Sequence, residues 1–211
     1  MKHLWLMRHC EPKHGHPMDG TRPLTDDGRK NAHAMAEWFR ENWGRVDIVI
    51  TSPFARAAQT AHIMADELGS HVADTRCLEP DGVPEEAWAE IERLAQQSKD
   101  VLVVAHDPLI NTLLMWILGL KAGVPEVRFE WGAIAHVRFK AKPEEGIKVE
   151  NTLAWLVDPK LVLKEEHKEL EEAALALTES FLPEDGASVN VSMRLVSDLE
   201  DGGALVQITG L

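Results

Sequence analysis

The chain reads as an α/β protein: a three-layer α/β/α sandwich around a mostly parallel sheet, followed by a C-terminal helix and β-hairpin. Three observations carry that expectation. Leu4-Trp5-Leu6-Met7 and Val101-Leu102-Val103-Val104-Ala105 are short unbroken apolar runs, the character of strands covered on both faces. Stretches with helical spacing alternate with them, as with Ala32, Met35, Ala36, Phe39 and Trp43, and such alternation implies a parallel sheet flanked by helices. The runs also stop abruptly at polar groups, Arg8-His9 and His106-Asp107, and ligands collect at the carboxyl ends of parallel strands.

The first strand is expected over residues 3–8. Thr25 is a good N-cap, and Asp26 and Asp27 suit the positive end of a helix dipole, so a helix should run from there to about Trp43. Residues 46–51 form the next strand and 56–68 the next helix. A short strand at Val72-Ala73 leads to a loop around 78–83. A helix over 85–97, a strand over 101–105 and an apolar helix over 109–118 follow. Residues 133–139 and 153–157 read as antiparallel strands. After Pro159 a long amphipathic helix is expected over 163–182, stopped by Pro183-Glu184-Asp185-Gly186, and then two strands over 188–196 and 204–209.

At 211 residues, with 45% hydrophobic and 27% charged content, the chain is an ordinary globular protein with room for a substantial core. It divides into a main domain over 1–162 and an acidic extension over 163–211 packed on it. That extension holds 3 basic and 11 acidic residues, so most of the net charge of −13 lies there. It reads as a solvated acidic face, with homodimerisation or docking of a partner as the alternative. An acidic chain is a poor match for a phosphate backbone, so nucleic acid is not expected as a partner. No apolar run approaches the roughly 20 residues that span a bilayer. The N-terminal apolar stretch ends in Arg8-His9 without a cleavage pattern, so the cytoplasm is the expected compartment. Two cysteines, Cys10 and Cys77, imply no disulfide framework. Among ten histidines, His14-Gly15-His16 is the only close pair, so neither a metal nor another cofactor is expected.

Three strand ends would bring Arg8, His9, Arg56 and His106 around one anion. The planar donors of arginine match phosphate oxygens, and an imidazole beside them is positioned as a nucleophile. The motifs Met7-Arg8-His9-Cys10-Glu11, Ser52-Pro53-Phe54-Ala55-Arg56-Ala57-Ala58-Gln59-Thr60 and Ala105-His106-Asp107-Pro108 resemble those of the histidine phosphatase superfamily, which includes phosphoglycerate mutases and acid phosphatases. Arg22-Pro23-Leu24-Thr25-Asp26-Asp27-Gly28 is similar to the short branch typified by SixA-type phosphohistidine phosphatases. The resemblance spans roughly residues 1–160. It implies a phosphoglycerate mutase-like fold and a hydrolase that needs no metal, working through a phosphohistidine formed on His9. Arg8, Arg22 and Arg56 would bind the phosphoryl group, with His106 as a further donor.

The resemblance also frames the substrate. SixA-type enzymes act on protein phosphohistidine, whose imidazole leaves readily. Many other members add a carboxylic acid for poorly leaving alkoxides, and Glu79, with Asp81 behind it, stands in the corresponding loop. The leading expectation is a protein phosphohistidine phosphatase. The alternatives are a small-molecule phosphomonoesterase using Glu79 as general acid, and a phosphate-binding pseudoenzyme. The short insert between residues 78 and 101 disfavours a mutase. Two departures stand out: Cys10 replaces the usual glycine, which matters if the backbone there needs positive φ, and Asp107 puts a carboxylate where it would repel phosphate unless it turns away.

Overall fold

The computed structural model describes residues 1, 3–14, 20–120, 129–138, 151–163, 192–196 and 205–209. The main-domain elements are β1 (His3–Arg8), α1 (Asp26–Trp43), β2 (Ile48–Thr51), α2 (Ala55–Leu68) and β3 (His71–Asp74). After a 3₁₀ turn over Arg76–Leu78 come α3 (Pro84–Leu94), β4 (Asp100–Ala105), α4 (Leu109–Ile117), β5 (Ile134–Arg138), β6 (Thr152–Val157) and α5 (Pro159–Leu163). Two further strands, β7 (Ser192–Val196) and β8 (Leu205–Thr209), form an antiparallel pair. One sheet runs in the order β3-β2-β4-β1-β5-β6-β8-β7.

The α/β class is as expected, with its elements within a few residues of their anticipated limits. Parallel pairing is confined to the β3-β2-β4-β1 half, and β5, β6, β8 and β7 pair antiparallel. Helix α3 stops at Leu94, three residues short of expectation, because Ala95 leaves the helix while donating to the Ile91 carbonyl. The expected helix over 163–182 lies outside the described residues, apart from its first.

Two apolar layers enclose the sheet. Alternate β1 residues serve them in turn: Leu4 and Leu6 join Trp88, Ile91, Leu109, Ile110 and Leu113 of α3 and α4. Trp5 and Met7 join Met35, Phe39, Ala57, Ala61 and Met64 of α1 and α2. The period-2 alternation of a strand thus supplies both cores at once. The α1 layer also buries His136, stacked on Trp5 and 3.0 Å from the ring nitrogen of His3.

The Arg22–Gly28 segment ties this scaffold to the loop after β1. Thr25 caps α1 by accepting from the Gly28 amide at 2.8 Å, and its hydroxyl lies 3.1 Å from the Glu11 carboxylate. The Thr25 amide donates to the Glu11 carbonyl at 3.0 Å. Gly28 is required by proximity: a Cβ there would lie 2.3 Å from the Glu11 carbonyl oxygen. Alanine would gain about 1 kcal/mol in helix propensity, but overpacking against backbone costs about 1–3 kcal/mol and should win. Gly28→Ala is therefore expected to lower the urea midpoint and to reduce turnover, because the displaced loop carries His9. A stabilised, fully active variant would contradict this reading.

Candidate active site

Strand register makes the site. Arg8 of β1 pairs with Ala105 of β4, so the next residues, His9 and His106, leave the sheet side by side. The His9 amide is fastened to the Ala105 carbonyl at 3.0 Å, and the two imidazoles meet edge to face with centroids 5.0 Å apart. Thr51 at the end of β2 pairs with Val104 on the other side of β4. The chain then turns through Ser52-Pro53-Phe54 and places Arg56 in the first turn of α2.

His9 is only 4% exposed. Its Nδ1–H donates to the Cys10 carbonyl at 2.7 Å, while Arg56 Nε donates to its Nε2 at 3.2 Å. An imidazole nitrogen that accepts carries a lone pair, so this arrangement selects the neutral tautomer with Nε2 as the reactive atom. Burial pushes the pKa of His9 down to about 3, against the Cys10 carbonyl bond that favours the charged form; the charges of Arg56, Arg8 and Arg22 push it further down. Burial, then His9 and the same three arginines, push His106 down to about 2. His106 is 1% exposed, and neither ring nitrogen has a hydrogen-bond partner among the described residues. Buried polar atoms of this kind call for a partner, and an oxyanion between the two histidines and the arginines would provide one.

The cations are individually supported. Arg56, 5% exposed, lies over the Phe54 ring at 5.1 Å, and that ring meets His106 edge to face at 5.4 Å. Arg8 donates to the Phe129 carbonyl at 2.6 Å, lies 5.8 Å from the Trp131 ring centroid and pairs with Asp107 at 3.9 Å. The charge of Arg22 acts on both histidines. His9 therefore contacts both Arg56 and His106, and the charge of Arg8 also acts on both histidines. Glu79 has a different environment: its carboxylate accepts from Arg76 Nε at 2.9 Å.

The two departures both have physical answers. Among the described residues no side-chain-bearing residue has positive φ, so Cys10 is unstrained. It is fully buried, its amide donates to the Thr60 hydroxyl at 3.1 Å, and burial pushes its thiol up to about 12. A thiol of that kind is a packing group, not a nucleophile. The Asp107 carboxylate turns toward Arg8 and toward the Asn111 amide, 3.4 Å away. The motifs alone do not reveal that Gln59, which accepts from the Leu24 amide at 2.9 Å, and Thr60 hold the loops of the site. Both stand in the quoted Arg56 motif, and that was the available signal. Phe129 and Trp131 lay outside any motif.

The lowered histidines make acid stability testable. Between pH 6.5 and about 3 the unfolded chain binds protons on His9, His106 and His136 that the folded chain refuses, because burial lowers all three. Their contribution is complete above pH 6.5 and is lost progressively as pH falls through that window. The urea midpoint should decline from pH 6.5 toward 4, more steeply than in a His136→Phe variant. Identical slopes would contradict the assignment for His136.

Comparison with known proteins agrees with this geometry. Residues 4–79 match the family described as the histidine phosphatase superfamily (branch 1). The phosphohistidine phosphatase SixA of Escherichia coli (strain K12) is 30% identical over 159 residues, covering 74% of this chain and 93% of its own length. A structure of the protein histidine phosphatase SixA complexed with tungstate superposes with a TM-score of 0.63 at 27% identity, over 74% of this chain and 97% of that one. A mycobacterial glucosyl-3-phosphoglycerate phosphatase, 18% identical, shares the fold with a TM-score of 0.56 over 72% of this chain and 97% of its own. The chain belongs to the histidine phosphatase superfamily. It is a phosphatase, a hydrolase of SixA-like type. Among the described residues no helix is long and apolar enough to cross a membrane.

Proposed function

We propose that the protein hydrolyses phosphohistidine in a phosphorylated protein, using His9 as the nucleophile. The observation that carries the mechanism is the pair of bonds on His9, Nδ1–H to the Cys10 carbonyl and Nε2 from Arg56. The lone pair on Nε2 attacks phosphorus, and the P–N bond of the substrate breaks with its electrons passing to the departing ring. Arg8, Arg22 and Arg56 neutralise the phosphoryl oxygens as charge redistributes, and His106 donates or accepts at the same oxygens. Phosphorylated His9 keeps its Nδ1 proton against the Cys10 carbonyl, so the adduct is an imidazolium. Water then attacks phosphorus, the Nε2–P bond breaks, and His9 leaves as a neutral imidazole while the water proton passes to phosphate. The arginines supply the positive charge, so no step calls on a metal.

The substrate reading draws on the likeness to SixA and on Glu79. The Glu79 carboxylate is engaged by Arg76 at 2.9 Å, and a phosphoramidate needs no proton from it. Glu79→Gln should cost less than about tenfold in kcat on a phosphohistidine peptide. If Glu79 is a general acid for an ester, the same change would cost about 10²–10⁴-fold on an alkyl phosphate and little on an activated aryl phosphate. Steady-state assays of a phosphohistidine peptide beside alkyl and aryl phosphates test the proposal. A preference for alkyl esters that depends on Glu79 would replace it with a phosphomonoesterase.

A further inference from the structure

In-line displacement fixes where the leaving group goes. Nucleophile and leaving group lie on opposite sides of phosphorus. His9 is buried, so the departing group faces the solvent side. Two side chains of unlike chemistry flank Arg8 and are far more exposed than the buried His9 and His106: the carboxylate of Asp107, with its side chain 37% exposed and 3.9 Å from the guanidinium, and the indole of Trp131, 36% exposed, with its ring centroid 5.8 Å from Cζ. The contacts of Asp107 to Arg8 and to the Asn111 amide, at 3.4 Å, are both long, and hydrogen bonds of ordinary strength are shorter. The carboxylate therefore retains the capacity to accept a stronger donor.

A carboxylate at this position repels the phosphoryl group of any substrate, a cost that only a cationic leaving group offsets. It favours a leaving group that is itself cationic, and an exposed indole face has the same preference. We propose that Asp107 and Trp131 form a rim that selects a planar cationic leaving group, the protonated imidazole of a phosphohistidine, over a neutral alcohol or phenol. This deepens the function proposed above and rests on it. The chemistry is specific to the phosphoramidate. The ring nitrogen remote from phosphorus takes up a proton near neutrality, and the P–N bond then breaks with its electron pair retained by a ring that departs as neutral imidazole. With that nitrogen unprotonated, the ring would have to leave as an anion. Asp107 holds the proton on the substrate, as the Cys10 carbonyl holds the one on phosphorylated His9. The two half-reactions then expel the same neutral group.

The charged and titratable groups facing Asp107 and Trp131 limit what can produce a pH effect. Arg8, Arg22 and Arg56 stay charged, and His9 and His106 stay neutral down to about pH 3 and 2. His14, with its ring 6.0 Å from Trp131 and its Nε2 3.4 Å from the Glu11 carboxylate, and Glu11, Glu130, Asp158 and Lys160, which line a pocket with Trp131, also face the rim, and an effect of theirs would show with the aryl ester as well as with the peptide. A phosphohistidine-specific alkaline limb must therefore come from the substrate ring. An opposite charge within about 4–6 Å shifts a pKa by one unit or more.

The test compares kcat/KM for a phosphohistidine peptide and for p-nitrophenyl phosphate across pH 6–9 in the wild type and in Asp107→Asn. The alkaline limb for the peptide should move down by about one pH unit, lowering its rate near pH 8 by about tenfold. Turnover of the aryl ester should rise as repulsion is relieved. Trp131→Leu should raise KM for the peptide about threefold, with Trp131→Phe restoring most of the loss. Parallel changes for both substrates, or an unmoved alkaline limb, would overturn the rim and leave the phosphatase reading intact. A wild type that hydrolyses the aryl ester but not the peptide would remove the phosphohistidine reading, and the rim proposal with it.

Discussion

His9→Ala is expected to reduce turnover of a phosphohistidine peptide by about 10⁴-fold or more, the scale seen when a covalent nucleophile is removed. Binding of vanadate should weaken, because Arg56 and His106 lose their contacts with the His9 ring, but persist, because Arg56 is still held against Phe54 and Arg8 by the Phe129 carbonyl. The imidazole contributes both the attacking electron pair and the leaving group of the second step, so no neighbour can substitute. His106, although 5.0 Å away by ring centroid, lacks a carbonyl partner to fix a tautomer. Cys10, with its thiol pushed up to about 12, holds its proton. Purified His9→Ala protein that retains wild-type turnover would defeat the covalent mechanism.

The second large effect is expected at Arg56. It touches the nucleophile's reactive atom directly, donating from Nε to His9 Nε2 at 3.2 Å, and the Phe54 ring lies against its guanidinium. In the reaction that donor passes to a phosphoryl oxygen as Nε2 engages phosphorus. Arg56→Ala should lower kcat by about 10²–10³-fold, the usual consequence of losing one donor aimed at transition-state charge. Arg56→Lys should recover little of this, because an ammonium is a point charge without the planar set of donors. A loss smaller than tenfold in Arg56→Ala would mean that the arginine positions the loop and does not stabilise the transferring group.

Most of this site was legible because its parts sit where strong local signals end. Apolar runs mark β1 and β4, so the polar residues that follow, Arg8-His9 and His106, had to emerge at strand ends. Their lateral match, Arg8 opposite Ala105, is a matter of register, which depends on packing of both sheet faces and is not encoded locally. Thr25 as an N-cap was equally visible, since capping is local chemistry. That its hydroxyl lies against Glu11, or that Gly28 exists to let a carbonyl approach, involves residues far apart in sequence. Trp131 and Phe129 were invisible for the same reason. They reach Arg8 only because β5 folds back antiparallel beside β1. The antiparallel character of 133–139 and 153–157 was legible from their sequence, but their place beside β1 in the same sheet, with β5 antiparallel to it, depends on long-range pairing.

The central claim is that a phosphoryl group resides on His9 during turnover. Wild-type protein mixed with a phosphohistidine peptide or an aryl phosphate and quenched in alkali within one turnover, where phosphohistidine survives, can be digested and read by mass spectrometry. The account predicts a phosphoryl group on His9, bonded through Nε2, that appears before free phosphate and disappears as phosphate is released. Product formed without any phosphorylated His9, or with the group on His106 or Cys10 instead, would contradict it.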